Sequence, residues 1–222
     1  MEKMILYKLA TRSRPERFKE TLNSIVNNSS NNNYMVLVSI DDDDESMQKV
    51  SKEIDHPNVV FISGVSYNKI HAINRDIEKA SDYADWKILV NISDDMLITS
   101  KDFDNVVRSA FEESLDIFLH LPDGFTDDKL ATMSIMGKAY YERFNFIYHP
   151  SYKSVWCDNE AMDVAKKTLC YRYLPQQVFV HNHPANIGNV VWDEQYARTE
   201  AYEMHRDDNL NYETRKLQGF PN

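Results

Sequence analysis

The chain opens on a nearly continuous apolar run, Met4 to Ala10, that fits a strand buried on both faces. Ser13-Arg14-Pro15-Glu16 follows with the spacing of a capping box and a proline in the first turn, and Phe18, Leu22, Ile25 and Val26 then recur at helical spacing. The asparagine and serine tract at 27–33 stops this helix before a second apolar strand, Met35 to Ile40. A short helix carrying Met47, Val50 and Ile54, a strand Val59 to Ile62, and a helix with Ile70, Ile73 and Ile77 on one face continue the alternation. Trp86 to Ile92 is apolar almost throughout, as expected of a central parallel strand covered on both faces. A helix with Phe103, Val106, Val107, Ala110 and Phe111 and a strand Asp116 to Leu121 complete the regular part.

Strands and helices alternating in this way over residues 1–120 predict an α/β fold: an open, mostly parallel sheet flanked by helices and joined by right-handed crossovers. The rest is less regular. A short strand is expected near Thr132 to Met136, helices around Lys138 to Phe144 and Asp158 to Leu169, a strand Val178 to His181, and a polar helical tail after Asp193. At 222 residues, 42% hydrophobic and 27% charged, one domain spanning 1–222 is the expectation.

Composition then removes several functions. The five glycines, Gly64, Gly124, Gly137, Gly188 and Gly219, are each too isolated to form a dinucleotide fingerprint, a Walker A loop or a G-x-S-x-G elbow. A net charge of -10 with scattered bases argues against a nucleic-acid partner. An anionic substrate would therefore need positive charge supplied locally, by arginines or a bound cation. No apolar run is long enough for a transmembrane helix, and the start lacks an apolar signal core. With only Cys157 and Cys170, a reduced cytoplasmic setting is expected.

In an open α/β sheet, ligands bind beyond the carboxyl ends of the strands, so polar residues there carry the most information. Thr11-Arg12-Ser13-Arg14 follows the first strand and suits an anion or the polar edge of a base. Of the run Asp41 to Asp44 after the second strand, Asp41 or Asp42 is best placed to accept from a ligand. Asp94 and Asp95 leave the central strand side by side, a repulsion that a hard divalent cation would relieve. His181 and His183 share a face at the end of a strand, and one could complete a metal site, favouring manganese over magnesium. In Trp156-Cys157-Asp158-Asn159-Glu160, Asp158 reads either as a helix N-cap or, with Glu160 as its alternative, as a general base.

Taken in this order, these segments resemble the nucleotide-sugar glycosyltransferases of the GT-A fold, family 2 in particular, over most of the chain and most strongly from Ile5 to Ile98. The resemblance implies a Rossmann-like nucleotide-binding half, 1–120, and an acceptor half, 121–222. It implies transfer, with inversion, from a nucleoside-diphosphate sugar to a carbohydrate or lipid-linked glycan hydroxyl, using Mn2+ or Mg2+, as in polysaccharide biosynthesis. Thr11, Arg12 and Arg14 then line the nucleotide pocket, Asp41 or Asp42 holds the base, and Arg75 in NKIHAINR touches base or phosphate. Ser93-Asp94-Asp95 takes the place of the D-x-D motif, with serine for its first aspartate and Asp95 at the metal. Asp158 takes the place of the catalytic base, although the usual Glu-Asp pair is missing, and His181 or His183 that of an extra metal ligand. Tyr140, Tyr141, Tyr148, Tyr152 and Trp156 are candidates to stack on acceptor sugars. Two other readings exist: a sugar nucleotidyltransferase, which needs a glycine-rich loop that LATRSRPERF lacks, and a non-catalytic nucleotide-sugar or carbohydrate-binding module on the same fold.

Overall fold

In the computed structural model, which describes residues 2–221, the apolar runs of the first half are strands, the first three each followed by a helix. These are β1 (Ile5–Ala10), α1 (Pro15–Asn28), β2 (Tyr34–Asp41), α2 (Glu45–Glu53), β3 (Val59–Gly64), α3 (Lys69–Asn74) and β4 (Ile88–Asn91). There follow β5 (Met96–Ile98), α4 (Phe103–Ala110), β6 (Phe118–His120), β7 (Ile135–Gly137), α5 (Lys138–Tyr141) and α6 (Cys157–Lys167). The chain ends through β8 (Tyr171–Tyr173), β9 (Phe179–His181), α7 (Glu194–Thr199) and α8 (Tyr202–Leu217).

Seven strands form one sheet in the order β3-β2-β1-β4-β7-β6-β8. All pairings are parallel except those of β7, which runs against both β4 and β6. The central strand β4 is therefore parallel to its neighbour on one side only, and it is shorter than the apolar run that announces it. Alternate residues face opposite layers. Tyr7, Leu9, Val36 and Val38 pack with Phe18, Leu22, Ile25, Phe103 and Val107 from α1 and α4. Leu6, Leu37 and Leu89 pack with Ile70, Ile73, Tyr140 and Met162 from α3, α5 and α6. Burial on both faces is the reason these strands read as unbroken apolar runs.

Several local expectations are corrected. No capping box forms at α1: Ser13 is in the left-handed region at φ 56°, and its N–H donates to the Asp44 carboxylate at 2.6 Å. Ile77 does not continue α3, because Asp76 at φ 72° turns the chain into a separate 3-10 segment. The predicted helix 138–144 shortens to α5. The N-cap position of α6 is Trp156, at φ 63°, and Asp158 sits in the first turn instead. β5 and β8, three residues each, were not expected; β5 pairs antiparallel with β9 to make a small ribbon outside the main sheet. The polar tail is two helices, and Asp193 caps the first by accepting from the Gln195 and Tyr196 N–H groups. No described helix is long and apolar enough to cross a membrane.

Strand order reverses between β1 and β4, because successive crossovers run outward from β1 through β2 to β3 and then return to its other side. A sheet leaves an open crevice at such a reversal, beyond the carboxyl ends of the strands.

Candidate active site

A cavity of about 750 Å³ occupies that crevice. Its wall collects residues from the carboxyl ends of three neighbouring strands: Thr11, Arg12 and Arg14 after β1, Asp41 to Asp43 at β2, and Ser93 to Asp95 after β4. Asp158 from α6 and the two histidines at the end of β9 complete the opposite side. Of the residues proposed from sequence, Thr11, Arg12, Arg14, Asp41, Asp42, Asp94, Asp95, Asp158, His181 and His183 thus meet in one place.

On the β1–β2 side the charges are already matched. Arg12 bridges Asp41, at 2.8 Å, and Asp43. Asp42 is exposed at the rim, and Asp44 is spent on the loop, accepting from Ser13 and capping α2 through the Met47 N–H. Across the strand reversal, the Thr11 hydroxyl donates to Asp94 at 2.7 Å and Arg14 reaches the other Asp94 oxygen at 3.0 Å. The remaining donors of Arg14 fork onto Asp193 at 2.9 and 2.6 Å.

Asp94 and Asp95 are both buried, and their environments separate them. Burial and the neighbouring Asp95 charge push Asp94 up, against the pull of Arg14 and Thr11. Burial would raise Asp95 too, but His181 and the Tyr196 hydroxyl outweigh it and hold the carboxyl well below the usual range. Tyr196 donates to Asp95 Oδ2 at 2.9 Å, and His181 Nε2 lies 3.4 Å from the same oxygen. Asp95 Oδ1 is buried with no hydrogen-bond partner.

Asp158 differs from all of these. Its carboxylate accepts from the Asn159 N–H at 3.0 Å and, among the described residues, makes no ion pair. Burial at the cavity wall raises its pKa, with Lys69 and His181 only partly offsetting the effect. A carboxylate so placed is a suitable proton acceptor for a hydroxyl held in the cavity.

Three assignments made from sequence do not survive the coordinates. Glu160 lies outside the cavity wall; it is buried behind α6, held by Arg215 at 2.8 Å and by the Tyr152 hydroxyl at 2.7 Å. Residues two apart on a helix project about 200° apart, so Asp158 and Glu160 could not both face the ligand. Arg75 also stands outside the wall, its guanidinium bound to the Ile40 carbonyl, Ser66 and Asp76, where it backs Asp41 from 3.9 Å. His183 lines the cavity with both ring nitrogens engaged, Nε2 with Glu200 at 2.8 Å and Nδ1 with the Ala185 N–H at 3.2 Å, leaving neither for a metal. Of the candidate stacking aromatics, Tyr140, Tyr141, Tyr148 and Tyr152 are core, while Trp156, only partly buried, reaches the wall.

Other wall residues were missed. Lys69, the first residue of α3, enters the cavity with, among the described residues, no carboxylate partner within 4.0 Å. Its charge opposes proton uptake at Asp95, Asp158 and Glu200. The Asn68 cap one residue earlier is the sequence signal that could have placed it. Tyr196, under the Arg14 guanidinium at 4.0 Å, comes from the irregular tail, where no strand end marks it; Asp193 of the same tail is outside the wall and holds Arg14.

Among the described residues, no three His, Cys, Asp or Glu side chains close around a metal position. A divalent ion bound largely by substrate oxygens and water needs fewer protein ligands. The unpartnered Asp95 Oδ1 beside an imidazole meets that lower requirement, and the oxygen and nitrogen donors suit Mn2+.

No family model matches the sequence, and no curated protein matches it. Solved structures do. The mannosyltransferase PcManGT from Pyrobaculum calidifontis, in complex with GDP-Man and Mn2+, superposes with a TM-score of 0.62 at 12% identity, over 98% of this chain and 74% of that one. This chain has the GT-A glycosyltransferase fold. Residues 1–349 of S. aureus TarS give TM-scores of 0.60 with UDP bound and 0.59 with UDP-GlcNAc bound, both at 14% identity. The matches cover 79% and 93% of this chain and 59% and 66% of the TarS chains, so the present fold spans about three-fifths to two-thirds of their length.

Proposed function

We propose that this GT-A chain is a divalent-metal-dependent glycosyltransferase that moves a sugar from a nucleoside-diphosphate donor to an acceptor hydroxyl with inversion. The observation that carries the reading is the convergence of Asp41, Asp94, Asp95 and Asp158, drawn from two strand ends and a distant helix, on one cavity that also holds Arg12, Arg14 and Lys69. The donors bound by structures of the same fold, GDP-Man and UDP-GlcNAc, support it.

Asp41, fixed by Arg12, and the free rim carboxylate of Asp42 offer acceptors to the N–H edge of a base. Lys69, with no carboxylate partner among the described residues, supplies the positive charge that a chain of net charge -10 must concentrate to attract a diphosphate. Asp95 with His181 would hold Mn2+ or Mg2+, which when bound neutralises the charge on the departing diphosphate. Asp158 takes the proton of the acceptor hydroxyl as its oxygen bonds to the anomeric carbon and the bond to the diphosphate breaks. A raised pKa makes that carboxylate a better base near neutral pH, and its separation from Asp95 in chain and charge keeps the two roles distinct. Trp156 gives the acceptor end an aromatic face for a carbohydrate or lipid-linked glycan. Polysaccharide biosynthesis in the cytoplasm is the setting we propose.

A panel of nucleotide sugars with and without Mn2+ tests the reading. Product formation that Mn2+ stimulates, and that Asp95→Ala lowers by about 10²–10³-fold, is the expected outcome. Affinity for a donor with no turnover on any acceptor would identify a binding module instead.

A further inference from the structure

His181 is the point at which the small β5–β9 ribbon meets the cavity, and two carboxylates bracket its ring. Nε2 lies 3.4 Å from Asp95 Oδ2, and Nδ1 lies 3.8 Å from Asp123 Oδ2. The ribbon register sets His181 opposite Met96, and the Asn182 N–H donates to the Asp95 carbonyl at 2.7 Å, so the backbone position is fixed. Neither contact fixes the ring. Nδ1 is buried with no hydrogen-bond partner, and Asp123 is 1% exposed.

The two oxygens of Asp123 divide their work. Oδ1 accepts from the Phe125 N–H at 2.8 Å, the Thr126 N–H at 2.7 Å and the Thr126 hydroxyl at 3.0 Å, which accounts for the turn after β6. Oδ2 accepts from Thr132 alone, at 3.0 Å, and faces the imidazole. The Asp123 carbonyl also accepts from the His181 N–H at 3.4 Å. A turn needs only Oδ1; a buried, negatively charged Oδ2 beside an unpartnered ring nitrogen needs another explanation.

We infer that Asp123 is a positioning residue for the metal site: its Oδ2 holds the proton of His181 on Nδ1 and so turns Nε2 toward the ion that Asp95 binds. A carboxylate behind a ligating histidine fixes its tautomer and its orientation, and losing such a partner costs about 10–100-fold in metal affinity. The inference rests on the metal-dependent reading above and adds a residue from the β6–β7 connection that the sequence reading did not single out.

The test is a Mn2+ titration of the full chain, followed by electron paramagnetic resonance, alone and with UDP or GDP. Asp123→Asn keeps Oδ1 for the turn and replaces Oδ2 with an N–H donor. The expected result is Mn2+ binding weaker by about 10–100-fold, with a circular dichroism spectrum like that of the wild type. In the double variant Asp123→Asn with His181→Gln, the losses should not add, because one residue acts through the other. Unchanged Mn2+ affinity in folded Asp123→Asn, or fully additive losses, overturns the inference. Should that variant not fold, 15N spectra of the wild-type imidazoles with Mg2+ and UDP decide. A His181 proton on Nδ1 supports the inference, and one on Nε2 overturns it. A loss of Mn2+ at Asp95→Ala with none at Asp123→Asn removes this inference alone; no Mn2+ binding by the wild type removes the metal reading with it.

Discussion

The two walls of the cavity treat charge differently. At the β1 and β2 ends, Arg12 pairs with Asp41 and Asp43, and Arg14 reaches across the strand reversal to Asp94 and on to Asp193 of the tail, all before any ligand arrives. On the side built by α3, α6 and the β5–β9 ribbon, Lys69 and Asp158 have, among the described residues, no ion-pair partner, and Asp95 Oδ1 and His181 Nδ1 are buried without hydrogen bonds. Buried polar groups are normally satisfied, so unsatisfied ones on residues that also line a cavity point to where a ligand completes the structure. The paired wall is a pre-set frame; the unpaired wall is where reacting atoms belong. The division predicts that substitutions on the unpaired side cost rate or affinity, while breaking a buried pair elsewhere costs stability.

Asp158→Asn should give the largest effect. Removing a general base lowers kcat by about 10²–10⁴-fold, while the donor KM stays near the wild-type value. In the wild type, kcat should fall toward low pH with its midpoint above the ordinary carboxylate range, because burial raises the pKa of Asp158. Steady-state kinetics over pH measure both, and a folded Asp158→Asn enzyme with undiminished kcat would place the base elsewhere.

Behind the same helix, Glu160 provides the contrasting case. Arg215→Met leaves a buried carboxylate with the Tyr152 hydroxyl as its remaining partner, so unfolding free energy should drop by about 3 kcal/mol with kcat unchanged at a temperature where the protein is folded. Urea denaturation and turnover, measured together, check it. A rate loss without a stability loss would put Glu160 back into the chemistry.

Lys69→Met tests the free cation. A hydrogen bond or ion pair to a charged group contributes about 1.5–3 kcal/mol, so donor affinity or transfer should fall by about 10- to 100-fold. Isothermal titration with UDP and GDP separates loss of binding from loss of rate. Arg12→Met, on the paired wall, should cost less, since its charge is already balanced by Asp41 and Asp43.

What could be read in the sequence follows the same division between regular and irregular structure. β1, β2 and β4 are buried on both faces, so apolar runs announced them, and the polar residues at their ends fell into the crevice that the strand reversal creates. β5 and β8 are too short for a period to show. Glu160 stands as the alternative base to Asp158 in the sequence because both are acidic in one short segment, and only the helix, which sends them to opposite faces, separates them. Arg75 enters as a ligand contact through the resemblance of NKIHAINR to the family's helix behind the nucleotide, but its guanidinium is spent outside the wall on the Ile40 carbonyl, Ser66 and Asp76. Asp123, Asp193 and Tyr196 owe their positions to contacts across more than 50 residues of chain, which no local pattern encodes.

Lys8 is the exception within the frame, and it gives a test that reads stability alone, with no effect expected on rate. It lies mid-strand in β1 with 0% exposure, and Nζ donates to the Ser39 hydroxyl, which in turn donates to Asp76 at 2.7 Å. Burial lowers its pKa to about 7, although Asp76 pulls the other way. An unfolded lysine keeps its proton to about pH 10.4, so between pH 7 and 10 the unfolded chain binds more protons than the folded one. Stability must then rise with pH in that window, by at most about 1.4 kcal/mol per unit from this group. The gain is complete above the unfolded pKa and is lost as pH falls through 7. Urea midpoints at pH 7, 8.5 and 9.5 should climb for the wild type and climb less for Lys8→Met. Parallel slopes would mean that Lys8 stays charged inside the sheet, fully balanced through Ser39 and Asp76, and the frame would then contain no under-compensated charge at all.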